Sequence, residues 1–149
     1  LCLAKALGGG LPLGACLARP EVAEAFQPGD HGRTFGGGPV QAAAALAVLD
    51  VIEGDGLVSR SATVGAALQE QLRSIFGDGS VRGRGLMIGI ALGNPVARDF
   101  AARALERGLL VNDPAPDTLR LLPPLVITDA EVDEAVAIIR EVWDEVRAS

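Results

Sequence analysis

Lys5 stands where an apolar, strand-like segment gives way to a loop that carries glycines at positions 8, 9, 10 and 14. A lysine amine attacks a carbonyl group only when it is deprotonated, and burial among apolar neighbours such as Leu3 and Leu7 favours the uncharged form. The glycines would let the backbone approach a bulky bound group. The pattern predicts a nucleophilic lysine, and the alternative is a surface lysine beside a flexible turn.

Glycine-rich loops also bind phosphates and dinucleotides, but the spacing in this sequence does not fit either kind of site. A Walker loop places its lysine after the glycines, whereas Lys5 precedes them. The dinucleotide fingerprint needs a third glycine and the start of a helix, and residues 8–13 have Pro12 there instead. Residues 83–88 also lack the last glycine. The sequence therefore does not predict a nicotinamide enzyme.

The composition is that of a soluble globular protein with an aliphatic core, since 49% of the residues are hydrophobic and 3% are aromatic. No apolar stretch approaches the ~20 residues of a membrane span. A net charge of −6 and scattered basic residues argue against nucleic acid as a partner. One histidine and two cysteines do not supply a metal site. Cys2 and Cys16 could in principle pair, but free thiols in a reducing cytoplasm are expected.

Two unequal parts of the chain are expected to position these residues. Residues 1–58 contain the lysine loop, a short helix near residues 21–26, and a helix that begins at Pro39 and ends near Gly54. That second helix has little polar face. We therefore expect it to be buried inside a larger domain than this chain supplies.

Residues 59–149 have the pattern of a small α/β unit. Strands are predicted over residues 86–92, 109–111 and 119–122, and a helix over residues 96–106. A longer helix is predicted from Val64, Leu68, Leu72 and Ile75, which recur at helical spacing. Thr128 and Glu131 have the spacing of a capping box, which predicts the start of a last helix. Its inward stripe is Val132, Val136, Ile139, Trp143 and Val146.

Four segments resemble, in the same order, those of the class III (ornithine-type) pyridoxal-phosphate-dependent aminotransferases. They are residues 3–15, 30–39, 81–89, and 108–112 with 118–125. Within the family, residues 111–128 are most similar to the branch that uses N-acetylornithine. The family's subunits are much longer, and this chain begins with Leu1 and reaches Lys5 at once. We therefore expect the chain to be the C-terminal portion of such a subunit.

The resemblance implies an α/β fold, namely the C-terminal part of a type I pyridoxal-phosphate-dependent aminotransferase. Residues 1–58 would be the end of the large cofactor-binding domain, and residues 59–149 the small C-terminal α/β domain. The resemblance identifies Lys5 as the catalytic residue that binds the aldehyde of pyridoxal 5'-phosphate and shuttles a proton. It also implies that Thr34 binds the cofactor phosphate of the neighbouring subunit, and hence that the enzyme is a homodimer.

Two arginines are implied to contact substrate. Arg120 matches the family arginine that receives a substrate carboxylate, because a guanidinium binds a carboxylate through two parallel hydrogen bonds. The alternative for Arg120 is a strand arginine that extends into solvent. Arg33 stands where N-acetylornithine enzymes often carry a small hydroxyl residue, and Gly38 stands where asparagine is usual. These two departures bear on the choice of substrate and not on the lysine.

The resulting prediction is an aminotransferase that moves the terminal amino group of N-acetylornithine to 2-oxoglutarate in arginine biosynthesis. Ornithine, succinylornithine and 4-aminobutyrate are alternative amino donors. An alternative of another class is an inactive, truncated folding or interaction module. This alternative arises because the family residues that hold the cofactor's pyridine nitrogen and stack on its ring precede the segment of Lys5.

Overall fold

The computed structural model describes residues 1–32 and 37–148, which divide into two compact units. The first unit is Leu1–Gly56, and the second begins at Leu57. Each unit has its own secondary structure and is described by itself. Among the described residues, none of the helices combines the length and the apolar character needed to cross a membrane.

The first unit holds the lysine loop between two short strands. Strand β1 (Cys2–Leu3) pairs antiparallel with β2 (Ala15–Cys16), and a 3₁₀ turn over Lys5–Gly8 follows β1. Helix α1 (Pro20–Ala23) is one turn, shorter than the predicted helix near residues 21–26. Helix α2 (Pro39–Gly54) begins and ends where the sequence predicts.

Helix α2 exposes most of its apolar side chains within this unit. Of its residues, Ala45 alone is buried, whereas Val40 and Leu46 are 68% and 63% exposed. The side that faces the lysine loop is closely packed, because a Cβ added at Gly9 would lie 3.2 Å from Val48 Cγ2. Burial of the rest of the helix by a larger domain stays a prediction.

The second unit packs helices against an antiparallel sheet. Within residues 57–148 the strand order is β3-β4-β6-β5, and the core includes residues of both the helices and the sheet. The strands are β3 (Val81–Arg84), β4 (Met87–Ala91), β5 (Asn112–Ala115) and β6 (Thr118–Leu121). The helices are α3 (Leu57–Phe76), α4 (Ala97–Glu106) and α5 (Asp129–Val146), and a 3₁₀ turn spans Asp78–Ser80.

Side chains alternate between the two faces of this sheet. Ile88 lies opposite Leu121 and Ile90 opposite Leu119, and all of these side chains are buried in the core. Since successive strand residues point to opposite faces, Gly89 and Arg120 lie together on the other face. The predicted strands over residues 86–92 and 119–122 are therefore confirmed. Strand β4 is one residue shorter than predicted at each end, and β6 begins and ends one residue earlier than predicted.

Two features of the sheet differ from the sequence predictions. Residues 109–111 are not a strand, because the Leu109 amide donates to the Ala104 carbonyl and closes the C-terminal end of α4. The following strand, β5, begins at Asn112 instead. Strand β3 was not predicted, since Val81 is the one apolar residue in it.

Helix α5 begins with the predicted capping box. The Thr128 hydroxyl accepts from the Glu131 amide, and the Glu131 carboxylate accepts from the Thr128 amide at 2.7 Å. The Thr128 backbone hydrogen bond, and then the Thr128 side chain, lower the pKa of Glu131. The inward stripe is confirmed, with Val142 fully buried as well and Trp143 partly buried.

Close backbone packing joins α3 to the turn between β3 and β4. A Cβ added at Gly65 would lie 2.2 Å from the Gly85 carbonyl oxygen and 2.3 Å from its carbon. Contacts this short are not possible, so α3 or the turn would have to move. The absence of a side chain at Gly65 therefore sets the distance between α3 and the β3–β4 hairpin.

We expect Gly65→Ala to lower the free energy of unfolding by about 1–3 kcal/mol, because the new methyl group meets backbone and not a flexible side chain. Gly79→Ala is the matched control, since a Cβ there meets nothing within 4 Å. Urea unfolding followed by circular dichroism measures both variants. Equal midpoints for the two variants would contradict the packing argument.

Candidate active site

Lys5 has an unusual backbone conformation. Among the described residues it is the one non-glycine residue with a positive φ, at 61°. A lysine in the left-handed region costs on the order of 1 kcal/mol or more, and such strain concentrates at functional sites. Lys5 is also the only lysine in the sequence.

The glycine loop leaves space next to the lysine turn. The Gly9 amide donates to the Ala6 carbonyl at 3.0 Å and closes the turn. Gly9 and Gly10 have φ of 59° and 104°, which glycine adopts at little cost. A Cβ added at Gly10 would meet nothing within 4 Å. The loop is thus closely packed at Gly9 and open at Gly10.

The side chain of Lys5 is exposed, and no hydrogen-bond or ion-pair partner for its amine lies among the described residues. Within the described residues the β1–β2 ladder has only two residue pairs, and Leu3 is exposed and Leu7 half-buried. Burial of Lys5 among apolar neighbours in the natural protein stays a prediction. An accessible primary amine is the group that an aldehyde-bearing cofactor such as pyridoxal phosphate requires.

The predicted cofactor and substrate residues Thr34 and Arg33 lie outside the described residues. Their proposed roles in binding the cofactor phosphate and the substrate therefore rest on the sequence.

Arg120 lies on the exposed face of the sheet in the second unit. Its neighbours Leu119 and Leu121 are buried, whereas Arg120 is exposed and donates to the Asn112 side-chain oxygen, on the residue opposite it in β5. A guanidinium carries five N–H donors and Asn112 has no charge, so donors and the full positive charge stay available. The side chain extends into solvent, as the structural alternative predicts, and its hydrogen bond to Asn112 orients it. Binding of a substrate carboxylate stays a prediction.

Two more arginines lie on the same face of the sheet. We call this the arginine face and define it by Arg82, Arg84, Gly89 and Arg120. Gly89 lies opposite Arg82 on one side and Arg120 on the other. A Cβ added at Gly89 would lie 3.7 Å from Nε of Arg82, so the Arg82 side chain extends across the glycine in the direction of β6.

The arginine face borders an open cavity of about 610 Å³, whose lining also includes Met87 and Thr118. Neither Arg82 nor Arg84 has an ion-pair or hydrogen-bond partner within residues 57–148. Three neighbouring guanidinium groups without a carboxylate favour the binding of an anion. Sequence reasoning missed Arg82 and Arg84 as site residues, although the alternation of the strand could have placed both on the face of Arg120.

The described parts of the chain contain no group of three or more His, Cys, Asp or Glu side chains suited to holding a metal ion. The chemistry available to them is that of an exposed amine in the first unit and of guanidinium groups in the second.

Comparison with known proteins shows the family of this chain. A family model described as aminotransferase class-III matches residues 1–143. The chain is 51% identical over 146 residues to the acetylornithine aminotransferase of Corynebacterium efficiens, covering 98% of this chain and 36% of that protein. It therefore spans about a third of the length of such relatives.

Solved structures agree with this assignment. The acetylornithine aminotransferase of Elizabethkingia anophelis matches with a TM-score of 0.87 and 33% identity, over 97% of this chain and 40% of that one. The ornithine aminotransferase of Toxoplasma gondii matches with a TM-score of 0.90 and 31% identity, over 99% of this chain and 37% of that one. The fold is thus that of part of a type I pyridoxal-phosphate-dependent aminotransferase, and the chain belongs to the aminotransferase class-III family.

Proposed function

We propose that the natural protein containing this sequence is a pyridoxal-phosphate-dependent aminotransferase that moves the terminal amino group of N-acetylornithine to 2-oxoglutarate in arginine biosynthesis. The observation that carries the proposal is the strained backbone of Lys5, the only lysine in the sequence, shortly before a glycine loop that is open at Gly10. Membership of the aminotransferase class-III family supports the reaction class. The similarity to acetylornithine aminotransferases supports the amino donor.

Lys5 would hold the cofactor through its amine, which is exposed and unpaired among the described residues. When bound, pyridoxal phosphate supplies an electron sink for the bond broken at the substrate carbon. Lys5 Nζ can accept and return a proton at that carbon, because a positioned amine acts as a general base and then as a general acid. The fixed backbone at Lys5 limits where Nζ can reach.

Arg120 would bind a carboxylate of the substrate. Its hydrogen bond to Asn112 orients one edge of the guanidinium, and its remaining donors can bind both carboxylate oxygens. Arg82 lies on the same face across Gly89 and adds positive charge, and it makes no ion pair within residues 57–148. Both 2-oxoglutarate and N-acetylornithine carry carboxylates, so this face suits either partner of the reaction.

The domain and assembly proposals rest on the family resemblance. Residues 1–58 would be the end of the large cofactor-binding domain and residues 59–149 the small domain. Thr34 would bind the cofactor phosphate of the partner subunit in a homodimer, and Arg33 would contact substrate. Ornithine is the alternative amino donor that one specific comparison favours, since the Toxoplasma gondii structure is an ornithine aminotransferase. Comparing turnover of N-acetylornithine with that of ornithine distinguishes the two donors.

The first prediction concerns Lys5. Borohydride reduction of the natural protein loaded with pyridoxal phosphate should fix the cofactor on the peptide that contains Lys5, because reduction makes the bond stable. Peptide mass spectrometry locates the label. Lys5→Arg is the matched control, since it keeps the charge and cannot form the bond. Label on other peptides alone would refute the assignment.

The second prediction concerns Arg120. We expect Arg120→Ala to weaken substrate binding by roughly 2–5 kcal/mol, and Arg120→Lys to restore little of it, because an ammonium group lacks the planar fork. Kinetics with both the amino donor and 2-oxoglutarate measure the effect. Arg98→Ala is the control, since Arg98 is exposed on α4 and lies away from the arginine face. Unchanged KM and kcat in Arg120→Ala would make the arginine structural.

The third prediction concerns the homodimer. Lys5→Ala and Thr34→Ala subunits should each be inactive alone. Mixing them should restore about a quarter of the activity, because half of the dimers are mixed and each mixed dimer has one complete site. The mixture is assayed after unfolding and refolding together. No recovery in a mixture shown to contain mixed dimers would contradict the role of Thr34 across the interface.

A further inference from the structure

Cys2 and Cys16 lie directly opposite each other in the β1–β2 ladder of the first unit. Their Sγ atoms are 3.7 Å apart, and both residues are free and exposed. Two cysteines separated by 13 residues of chain are thus brought into contact by the fold. The sequence left pairing of Cys2 and Cys16 open and favoured free thiols.

The backbone next to this pair has the geometry that a disulfide needs. Leu17 donates its amide to the Leu1 carbonyl, and the Leu1 nitrogen donates to the Leu17 carbonyl, both at 2.8 Å. Hydrogen-bonded and non-hydrogen-bonded pairs alternate along an antiparallel ladder, so Cys2 and Cys16 are a non-hydrogen-bonded pair. Such pairs have Cα atoms about 4.5 Å apart, which lies within the range that a disulfide spans. The bond can form by rotation of the side chains, without separating the strands.

We propose that Cys2 and Cys16 are a reversible thiol–disulfide pair that low-molecular-weight disulfides such as oxidised glutathione oxidise. The thiolate of one cysteine attacks a sulfur of oxidised glutathione, forming a mixed disulfide and releasing one glutathione thiolate. The second cysteine then attacks the protein sulfur of the mixed disulfide and releases the second glutathione. Two protein thiols lose two electrons and two protons, and one glutathione disulfide becomes two glutathione thiols.

The bond would close a loop that contains Lys5. Residues 3–15 lie between the two cysteines, and they include the 3₁₀ turn and the glycines whose conformations position the lysine. A disulfide would therefore fix both ends of the lysine loop. The pairing itself does not depend on the proposed aminotransferase function.

The test is a redox titration of the natural protein in glutathione buffers, quenched with acid and followed by alkylation and peptide mass spectrometry. We expect the peptides containing Cys2 and Cys16 to lose both thiols together, within one polypeptide, and to regain them with dithiothreitol. Cys2→Ser and Cys16→Ser should instead carry one glutathione on the remaining cysteine. Because the readout is the state of the thiols, a failure of transaminase activity does not affect it.

A matched control keeps two cysteines but no longer places their thiols opposite each other. In the double variant Cys2→Ala with Leu3→Cys, the second thiol points to the opposite face from Cys16. We expect that variant to form an intramolecular bond only at a ratio of oxidised to reduced glutathione that is about tenfold or more higher than the ratio the wild-type pair requires. The proposal is overturned if the wild-type pair stays reduced, if it accumulates mixed disulfides or links between chains, or if the control oxidises as readily.

Discussion

The second unit depends on the burial of one face of its sheet. Ile88, Ile90 and Leu119 have no exposed surface, and the core against them is completed by side chains of the helices such as Phe100. A shift of one residue in strand pairing would move these side chains into solvent and bring Arg120 into the core, which is energetically prohibitive. The register that the core requires therefore also fixes which residues form the arginine face.

The charges of the chain show that the arginine face is not a consequence of too few acids. The sequence has 19 acidic residues, and arginines on or next to the helices, such as Arg60 and Arg103, have aspartate or glutamate partners. Arg82 and Arg84 have none within residues 57–148. Exposed ion pairs contribute about 0–1 kcal/mol each, so the fold loses little stability by leaving these guanidinium groups unpaired. They stay available for an anion from outside.

Sequence reasoning succeeded where the signal is local. The capping box at Thr128, the stripe of α5 and the ends of α2 each follow from residues within a few turns of one another. It failed where pairing decides the structure, because β3 has too few apolar residues to be recognised and is a strand through its pairing with β4. The sequence could not decide whether Cys2 and Cys16 meet for the same reason, since the contact depends on the register of two short strands.

The conformation of Lys5 is set by the local backbone. Two residue pairs of sheet cannot by themselves bury a side chain, and within the described residues Lys5 is exposed. What the chain provides instead is a positive φ at Lys5 and glycines at positions 8, 9 and 10, which together bend the backbone sharply after β1. Strain of this kind concentrates at functional sites, which agrees with the role proposed for Lys5.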